Sequence, residues 1–225
     1  MPPRAVFVAG AGTEIGKTYV TAALTRRLRE RGLPVETVKP LASGVPPLHD
    51  PGFAESDTAR LLDAQDIALD AEAVETCSPW RFSAPLSPDQ AAILEGRSLD
   101  LADLVEWCRA RIAGTPGTLL IEGVGGLMSP VTATATGLDW LRALDIPALL
   151  VSGSYLGAIS HALTACETLR RYSVPLRAVV VSESPGAPAP AGTVAASIAR
   201  HAGAPVVCLR RGEACPGSLA DLIVT

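Results

Sequence analysis

The chain has 225 residues, of which 48% are hydrophobic and 19% are charged, and this composition excludes an intrinsically disordered protein. Its 19 basic and 23 acidic residues give a formal net charge of −4. Because proteins that bind nucleic acid or an anionic membrane usually carry a surplus of basic residues, this balance argues against both kinds of partner.

Short runs of Val, Leu and Ile alternate with longer helical patterns along the chain. Such apolar runs are typical of strands that are covered on both faces, as in a parallel sheet. The predicted strands, in chain order, are 5–9, 35–38, 118–122, 147–151, 177–181 and 205–209. The predicted helices are 17–31, 57–65, 100–113, 157–172 and 191–202. This alternation predicts an α/β fold with a doubly wound, mostly parallel sheet and helices on both faces.

The interval 44–100 is less regular and rich in Pro, Asp and Ala. A long insertion of this kind usually carries function or forms a lid. Chemically distinctive residues also stand at the ends of the first five predicted strands: Glu122 closes the third strand, and Gly10, Lys39, Gly153 and Ser182 follow the first, second, fourth and fifth. Since ligands bind beyond the carboxyl ends of the strands in a doubly wound sheet, we expect one site on this solvated rim.

The first predicted strand leads into a helix through the glycine-rich loop GAGTEIGKT, residues 10–18. Backbone amides in such a loop surround phosphate oxygens, and Lys17 can reach the β- and γ-phosphates while the Thr18 hydroxyl binds Mg²⁺. Gly10 and Gly16 enclose five residues instead of the usual four, so an ordinary glycine-rich turn is the alternative. With no linker in the chain, the pattern predicts a single P-loop NTPase-like α/β domain over residues 1–225.

Lysine is rare in this chain, which has 17 arginines but only two lysines, Lys17 and Lys39. Both lie in motifs where a compact ammonium group is useful. Lys39 follows the second predicted strand, and a cation there can stabilise an anion that develops between a substrate and the γ-phosphate. The alternative is that Lys39 only neutralises a helix terminus.

Two acidic residues are candidate Mg²⁺ ligands. Glu122 ends the third predicted strand, and an acid beside a P-loop can hold the metal directly or through water. Its carboxylate can instead cap the next turn, while the glycines in the following segment 123–126 allow backbone to approach a ligand. Asp57 follows Ser56 directly before a predicted helix, so it is equally well interpreted as a capping residue.

The predicted helix 157–172 begins in the segment LGAISH, residues 156–161. Its free backbone amides can hold a carboxylate, although any helix that follows a strand begins in a similar way. His161 is more readily interpreted as a hydrogen-bonded core residue than as a catalyst.

The N-terminus and the cysteines favour a cytoplasmic location. The apolar stretch at residues 5–9 is too short for a signal peptide, and no membrane span is expected. The five cysteines are an odd number and form no C-x-x-C pair, so neither a disulfide framework nor a zinc site is predicted.

Taken together, several motifs resemble the dethiobiotin synthetase family, in the family's order and at similar intervals. They are GAGTEIGKT at 10–18, VKPLASG at 38–44, SD at 56–57, FSAPLSP at 82–88, EGVGG at 122–126 and LGAISHALTA at 156–165. The combination of T-E-x-G-K-T with K-P-x-x-S-G is specific, whereas either motif alone is not.

The resemblance implies an ATP- and Mg²⁺-dependent ligase of biotin biosynthesis. Such an enzyme closes the cyclic urea of dethiobiotin on 7,8-diaminopelargonate, using CO₂ or bicarbonate, through a carbamate and a carbamic-phosphoric anhydride. The resemblance also implies a homodimer, in which the helix start at Gly157–Ser160 meets the substrate carboxylate bound to the neighbouring subunit.

The resemblance further implies which residues act. The catalytic residues are Lys17, Lys39 and Thr13, and the metal ligands are Thr18, Asp57 and Glu122. The nucleotide-binding residues are Glu14, Ile15, Gly16, Lys17, Thr18, Tyr19, Asp57, Glu122, Gly123, Val124, Gly125, Ser182 and Glu183. The substrate-binding residues are Thr13, Ser43, Gly157, Ala158, Ile159 and Ser160.

Departures from the family pattern bear on the fit of the nucleotide base and of the substrate tail. The family's purine-recognising Asn is Ser182 here, its loop Asp is Gly12, and its Pro-containing stretch after the last strand is Leu209-Arg210-Arg211. A hydroxyl makes at most one of the two contacts that an amide makes with adenine, so we expect relaxed nucleotide selectivity. The alternative is that backbone groups near Ser182 and Glu183 supply the missing contacts.

Two other functions share this type of fold. A P-loop ATPase switch of the partition or cell-division type has a further Lys early in the loop, where this chain has Gly10, Ala11 and Gly12. A cobyrinate-type amidoligase needs a glutaminase domain, and no cysteine here has the context of a glutaminase nucleophile. Diaminopelargonate-dependent phosphate release distinguishes the synthetase from a switch that a protein partner stimulates.

Overall fold

A computed structural model describes residues 4–224; residues 1–3 and 225, the two ends of the predicted domain, lie outside the described range. The central sheet consists of six strands, which are β1 (Arg4–Gly10), β2 (Val35–Val38), β5 (Thr118–Glu122), β6 (Ala148–Ser152), β7 (Leu176–Ser182) and β8 (Val206–Leu209). All six are parallel, in the order β2-β5-β1-β6-β7-β8. Two short strands, β3 (Leu41–Ser43) and β4 (Trp80–Phe82), pair in a small second sheet.

Helices precede or follow most of these strands. They are α1 (Lys17–Glu30), α2 (Asp57–Asp63), α3 (Ala71–Cys77), α4 (Pro88–Leu94), α5 (Leu101–Gly114), α6 (Gly137–Leu144), α7 (Ala158–Arg171), α8 (Ala191–Ala199) and α9 (Gly217–Val224). A 3-10 helix covers Pro51–Glu55. The six predicted strands and five predicted helices are confirmed, with ends that differ by no more than three residues.

Side chains that alternate along each strand build a core on both faces of the sheet. In β1, Val6 and Val8 pack with residues of α1 and α9, whereas Phe7 packs on the opposite face with residues of α5, α6, α7 and α8. Trp140 of α6 meets Phe7 edge-on, with ring centroids 4.9 Å apart. This arrangement confirms the predicted doubly wound parallel sheet with helices on both faces.

Several short elements are missing from the sequence prediction. The interval 44–100 contains α2, which is predicted, but also α3, α4, β4 and the 3-10 helix. Elements of three to seven residues are too short for a clear hydrophobic period. Helix α6 is also missing from the prediction, although the sequence does mark its start, since Thr136 and Asp139 form a capping box there. Within residues 4–224, no helix is both long and apolar enough to cross a membrane.

Candidate active site

A cleft of about 730 Å³ opens at the carboxyl ends of the strands, as the fold class predicts. The glycine-rich loop forms its floor, and α2, the segment before α4 and the loop after β5 form its walls. The predicted site residues that line it are Thr13, Glu14, Ile15, Gly16, Lys17, Thr18, Tyr19, Lys39, Ser43, Asp57, Val124 and Gly125.

The loop between β1 and α1 needs glycine at two positions. Gly16 has a φ of 94°, and a Cβ there would lie 2.5 Å from Oγ of Ser182. A Cβ on Gly10 would lie 2.8 Å from the carbonyl oxygens of both Gly12 and Gly125. The backbone therefore approaches its neighbours too closely for a side chain, and α1 begins at Lys17 with its amide end at the cleft.

Lys17 joins the loop to the segment after β5. Its Nζ donates to the carbonyl oxygen of Gly125 at 2.7 Å and to that of Gly12 at 3.2 Å. Burial, followed by the positive charge of Lys39, lowers the pKa of Lys17 to about 8. The two lysines therefore lie close enough to repel each other, which favours an anion between them.

Lys39 lies between two carboxylates. Its Nζ donates to Oε1 of Glu122 at 2.8 Å and also to Oδ2 of Asp57. The pairing of β2 with β5, in which Val38 faces Ile121, brings Lys39 beside Glu122. Burial alone would lower the pKa of Lys39, but the charges of Glu122 and Asp57 outweigh it and raise the pKa above its usual value. The side chain is thus a buried, permanently charged cation, and it does not neutralise the end of a helix.

Asp57 faces the cleft and does not cap α2. The N-cap is Ser56, whose Oγ accepts from the amide of Ala59 at 3.2 Å. Burial opposes ionisation of Asp57, but the charge and hydrogen bond of Lys39 prevail and lower its pKa. Its side chain is 43% exposed, so the carboxylate is open to a ligand.

Glu122 is fully buried, so the expectation that it lies on a solvated rim is wrong. Its Oε1 accepts from the Thr18 hydroxyl at 2.6 Å as well as from Lys39. Its Oε2 is buried and accepts no hydrogen bond from any residue in the range 4–224. The carboxylate ends the central strand β5 and does not cap the following turn.

These oxygen atoms fit a Mg²⁺ ion. No group of three or more His, Cys, Asp and Glu side chains suited to a metal occurs in the described part of the chain. Mg²⁺, however, is usually held by one or two carboxylates together with phosphate oxygens and water. The unpartnered Oε2 of Glu122, the Thr18 hydroxyl and the half-exposed Asp57 supply such a donor set.

Other predicted site residues lie outside the cleft lining. Gly123 packs against Phe7, where an added Cβ would lie 2.8 Å from the ring, and Ser182 is fully buried behind Gly16. The start of α7 lies apart from the cleft: Ala158 is buried, while Gly157, Ile159 and Ser160 are exposed. His161, expected in the core, is exposed, and its Nδ1 lies 2.8 Å from the hydroxyl of Tyr155.

Glu183 and Tyr19 hold the loop that follows β8. The Tyr19 hydroxyl donates to the carbonyl oxygen of Arg210 at 3.0 Å and accepts from the amide of Gly212 at 3.1 Å. Oε2 of Glu183 accepts from the amide of Arg211 at 2.9 Å. This loop therefore closes one end of the cleft.

The sequence analysis missed several lining residues, which are Arg60, Pro85, Leu86, Ser87, Pro88, Ser129 and Arg211. Arg60 lies one helical turn after Asp57, a spacing that places both on one face of α2. Residues 85–88 belong to the FSAPLSP motif, which lies in the irregular interval 44–100. The motif is therefore the sequence signal that could have assigned them to the site. Arg211 belongs to the stretch Leu209-Arg210-Arg211, which the sequence analysis notes as a departure from the family pattern but does not assign to the site.

Comparisons with known proteins identify sequences that are similar to this chain. A family profile described as an AAA domain matches residues 4–209. A protein named ATP-dependent dethiobiotin synthetase BioD from Methylobacterium nodulans (strain LMG 21967 / CNCM I-2342 / ORS 2060) is 66% identical over 97% of this chain and 98% of its own length. A protein of the same name from Caulobacter sp. (strain K31) is 50% identical over 96% of this chain and 93% of its own length.

Solved structures share the fold at low sequence identity. A ParA family ATPase from Chlorobium tepidum TLS superposes with a TM-score of 0.53 at 15% identity, covering 98% of this chain and 89% of that chain. The MinC:MinD cell division protein complex of Aquifex aeolicus gives 0.51 at 14% identity, with coverages of 98% and 85%. These two likenesses establish the P-loop NTPase-like fold alone.

Proposed function

From the premise that this chain belongs to the dethiobiotin synthetase family and is an ATP-dependent enzyme, we propose that it closes the cyclic urea of dethiobiotin on 7,8-diaminopelargonate, with CO₂ and ATP as co-substrates. The observation that carries this proposal is the buried Lys39 cation, held by Glu122 and Asp57 beside the P-loop. A site that transfers a phosphoryl group to an anionic acceptor needs such fixed positive charge.

The proposed reaction has three steps. One amine of the substrate adds to CO₂ and loses a proton, which gives a carbamate. A carbamate oxygen attacks the γ-phosphorus of ATP, and the bond to the leaving ADP breaks. The second amine then attacks the carbamate carbon, loses a proton and displaces phosphate as the ring closes.

The two lysines stabilise the negative charge of the carbamate and of the γ-phosphate. Carbamate and γ-phosphate are both anions, and their approach is opposed by repulsion unless cations lie beside them. Burial, and after it the positive charge of Lys39, lowers the pKa of Lys17, so an anion between the two lysines relieves their mutual repulsion. Thr13 and Ser43, which line the same cleft, are placed to hydrogen-bond the diamine or carbamate.

We further propose Mg²⁺ as the metal, held by Thr18, Asp57 and Glu122 with the phosphate oxygens. When bound, it supplies positive charge that neutralises the β- and γ-phosphates. Support comes from the unpartnered Oε2 of Glu122 and from the oxygen-only donor set. The proposed nucleotide site is completed by two groups of residues. Those in the P-loop and at the start of α1 are Glu14, Ile15, Gly16 and Tyr19, and those at the ends of β5 and β7 are Gly123, Val124, Gly125, Ser182 and Glu183.

A homodimer and a cytoplasmic location also belong to the proposal. In the dimer, Gly157, Ala158, Ile159 and Ser160 serve the neighbouring subunit's substrate. Exposed apolar side chains near this helix start support an interface, since Leu156 is 88% and Met128 54% exposed. The five cysteines are free thiols, as is usual in a reducing compartment.

The test is direct synthesis. The purified chain is incubated with 7,8-diaminopelargonate, bicarbonate, ATP and Mg²⁺, and dethiobiotin is measured by mass spectrometry together with released phosphate. We expect one phosphate for each dethiobiotin, with no product when any component is left out or when Lys39→Ala replaces the wild type. ATP hydrolysis that is independent of the diamine and stimulated by a protein partner would contradict the synthetase function and favour a switch.

A further inference from the structure

Ser129 lines the cleft beside the P-loop but has no part in the function proposed above. It lies in the loop after β5, where hydrogen bonds fix its backbone on both sides. Its amide donates to the carbonyl oxygen of Gly126 at 2.9 Å, and its carbonyl oxygen accepts from the amide of Gly137, the first residue of α6, at 3.0 Å. The Ser129 hydroxyl is therefore carried on a fixed backbone at the edge of the site.

This hydroxyl holds the turn formed by Gly125 and Gly126. Its Oγ accepts from the amide of Gly126 at 2.8 Å. Gly125 has a φ of 60°, and a Cβ on this residue would overlap Oγ of Ser129. Because two consecutive glycines have wide conformational freedom, the hydrogen bond and the close packing together select one orientation of the peptide group between them.

The same peptide group also binds Lys17. The amide of Gly126 and the carbonyl of Gly125 belong to one planar, trans peptide bond, so they point in opposite directions. Ser129 accepts from the amide, while Nζ of Lys17 donates to the carbonyl oxygen at 2.7 Å. A hydroxyl that fixes the amide therefore also fixes the direction of the carbonyl that holds the lysine, and hydrogen bonds in such a chain polarise one another.

Lys17 is held so that one donor remains for a ligand. An ammonium group has three N–H donors. Two of them are taken by the carbonyl oxygens of Gly125, at 2.7 Å, and of Gly12, at 3.2 Å, and the third remains for an anion in the cleft that Lys17 lines. Because this long side chain is already ordered, binding of a phosphate does not require the loss of its rotational freedom.

We propose, on the basis of the nucleotide-dependent function above, that Ser129 is a positioning residue, whose hydroxyl fixes the Gly125–Gly126 peptide and thereby orients Lys17 towards the phosphates of a bound triphosphate. The alternative role for this side chain is direct contact with the ligand, since within residues 4–224 its hydroxyl donates to no acceptor. The two roles differ in whether the effect of Ser129 depends on Lys17.

The test is a double-mutant cycle on the affinity for ATP, measured by calorimetric titration with Mg²⁺ and without the diamine. Ser129→Ala should weaken ATP binding about fivefold, the contribution of one neutral hydrogen bond, but should have no effect in a chain that already carries Lys17→Ala. Ser129→Thr keeps the hydroxyl and should restore the affinity of the wild type.

Thr132→Ala is the matched control. Thr132 lies in the same loop, and its Oγ1 accepts from the amide of Ala135 at 3.1 Å, away from Gly125 and Gly126. We expect the affinity for ATP to stay unchanged in this variant. AMP provides a second comparison if Lys17→Ala no longer binds ATP. It lacks the β- and γ-phosphates, so Ser129→Ala should weaken ATP but not AMP.

Three results would overturn the assignment. Equal weakening of ATP by Ser129→Ala with and without Lys17, or equal weakening of ATP and AMP, would show that the hydroxyl does not act through the lysine. An unchanged affinity for ATP in Ser129→Ala would show that the peptide keeps its orientation without the hydroxyl. A loss in Thr132→Ala equal to that in Ser129→Ala would reduce the effect to a general loosening of the loop.

This comparison is separate from the test of the proposed function. Because binding is measured without the diamine, failure of the chain to form dethiobiotin leaves the comparison of the Ser129 variants intact. Absence of ATP binding by the wild type would contradict both proposals.

Discussion

Nζ of Lys39 lies 2.8 Å from Oε1 of Glu122, although the two residues are 83 positions apart in the chain. Parallel pairing of β2 with β5 creates this contact, and the Thr18 hydroxyl donates to the same carboxylate oxygen from the start of α1. One buried carboxylate therefore joins the P-loop helix to the second strand. A change at any of the three residues should affect the other two.

Lys39→Arg should abolish turnover while nucleotide affinity stays within a few fold of wild type. The planar guanidinium is bulkier than an ammonium and cannot occupy the same place between Glu122 and Asp57, where the Lys39 side chain is only 6% exposed. Steady-state kinetics and nucleotide titration check this, with the exposed Arg26→Lys as a control that should behave like wild type. Wild-type turnover in Lys39→Arg would remove Lys39 from the mechanism.

Nucleotide affinity should fall as the pH rises through 8. The pKa of Lys17 is about 8 in the free protein, so the side chain loses its proton above that pH, whereas a bound triphosphate favours the charged form. We expect the dissociation constant to rise about tenfold between pH 7 and pH 9. Titration at several pH values measures it. Lys17→Arg stays charged and should give a flat profile; the same slope in that variant would assign the titration to another group.

Asp57→Asn and Glu122→Gln should each raise the Mg²⁺ concentration needed for half-maximal activity, by roughly tenfold if each carboxylate is a ligand. Only Glu122→Gln should also lower the melting temperature, because removal of a buried ionic partner costs about 3–5 kcal/mol, whereas Asp57 is half-exposed. Metal titration and thermal unfolding measure the two effects. Asp63→Asn, an exposed acid of the same helix, is the control; an unchanged metal response in both test variants would leave these acids as structural residues.

CTP, GTP and UTP should each support turnover within about tenfold of ATP. The buried Ser182 hydroxyl cannot make the paired contacts with adenine that an amide makes, and such a pair contributes about 1–3 kcal/mol. Measurement of kcat/KM for the four triphosphates decides this, and an ATP preference above about a thousandfold would contradict it.

Leu156→Glu should separate the subunits of the proposed homodimer. Leu156 is 88% exposed directly before the start of α7, and burial of a carboxylate in an apolar interface is unfavourable. Light scattering should show monomers, and the KM for the diamine should rise more than that for ATP. Ile93→Glu, at an apolar side chain of α4 that is 74% exposed, is the control. A stable dimer of Leu156→Glu with normal kinetics would place the interface elsewhere.

Much of the phosphate site follows from local sequence. The GAGTEIGKT loop lies directly between an apolar strand and a helical pattern. Because these three segments are neighbours in the chain, their phosphate-binding role can be predicted without tertiary contacts. The predicted strands and long helices are likewise confirmed, because apolar runs and helical periods are local signals. Short elements such as α6 were not predicted, because eight residues give too little periodicity and only the Thr136–Asp139 capping box marks the start of this helix.

The choice between alternative roles needed the tertiary structure. Sequence alone leaves Asp57 as either a cap or a ligand, and only the fold shows Ser56 as the cap and Asp57 paired with Lys39. The burial of Glu122 depends on its strand lying between β2 and β1, an order that chain order does not reveal. Arg211 reaches the cleft because β8 pairs with β7 and Tyr19 of α1 holds the following loop. Motif chemistry is thus encoded by residues close in sequence, whereas burial, charge pairing and the walls of the site arise from strands that meet only when the sheet assembles.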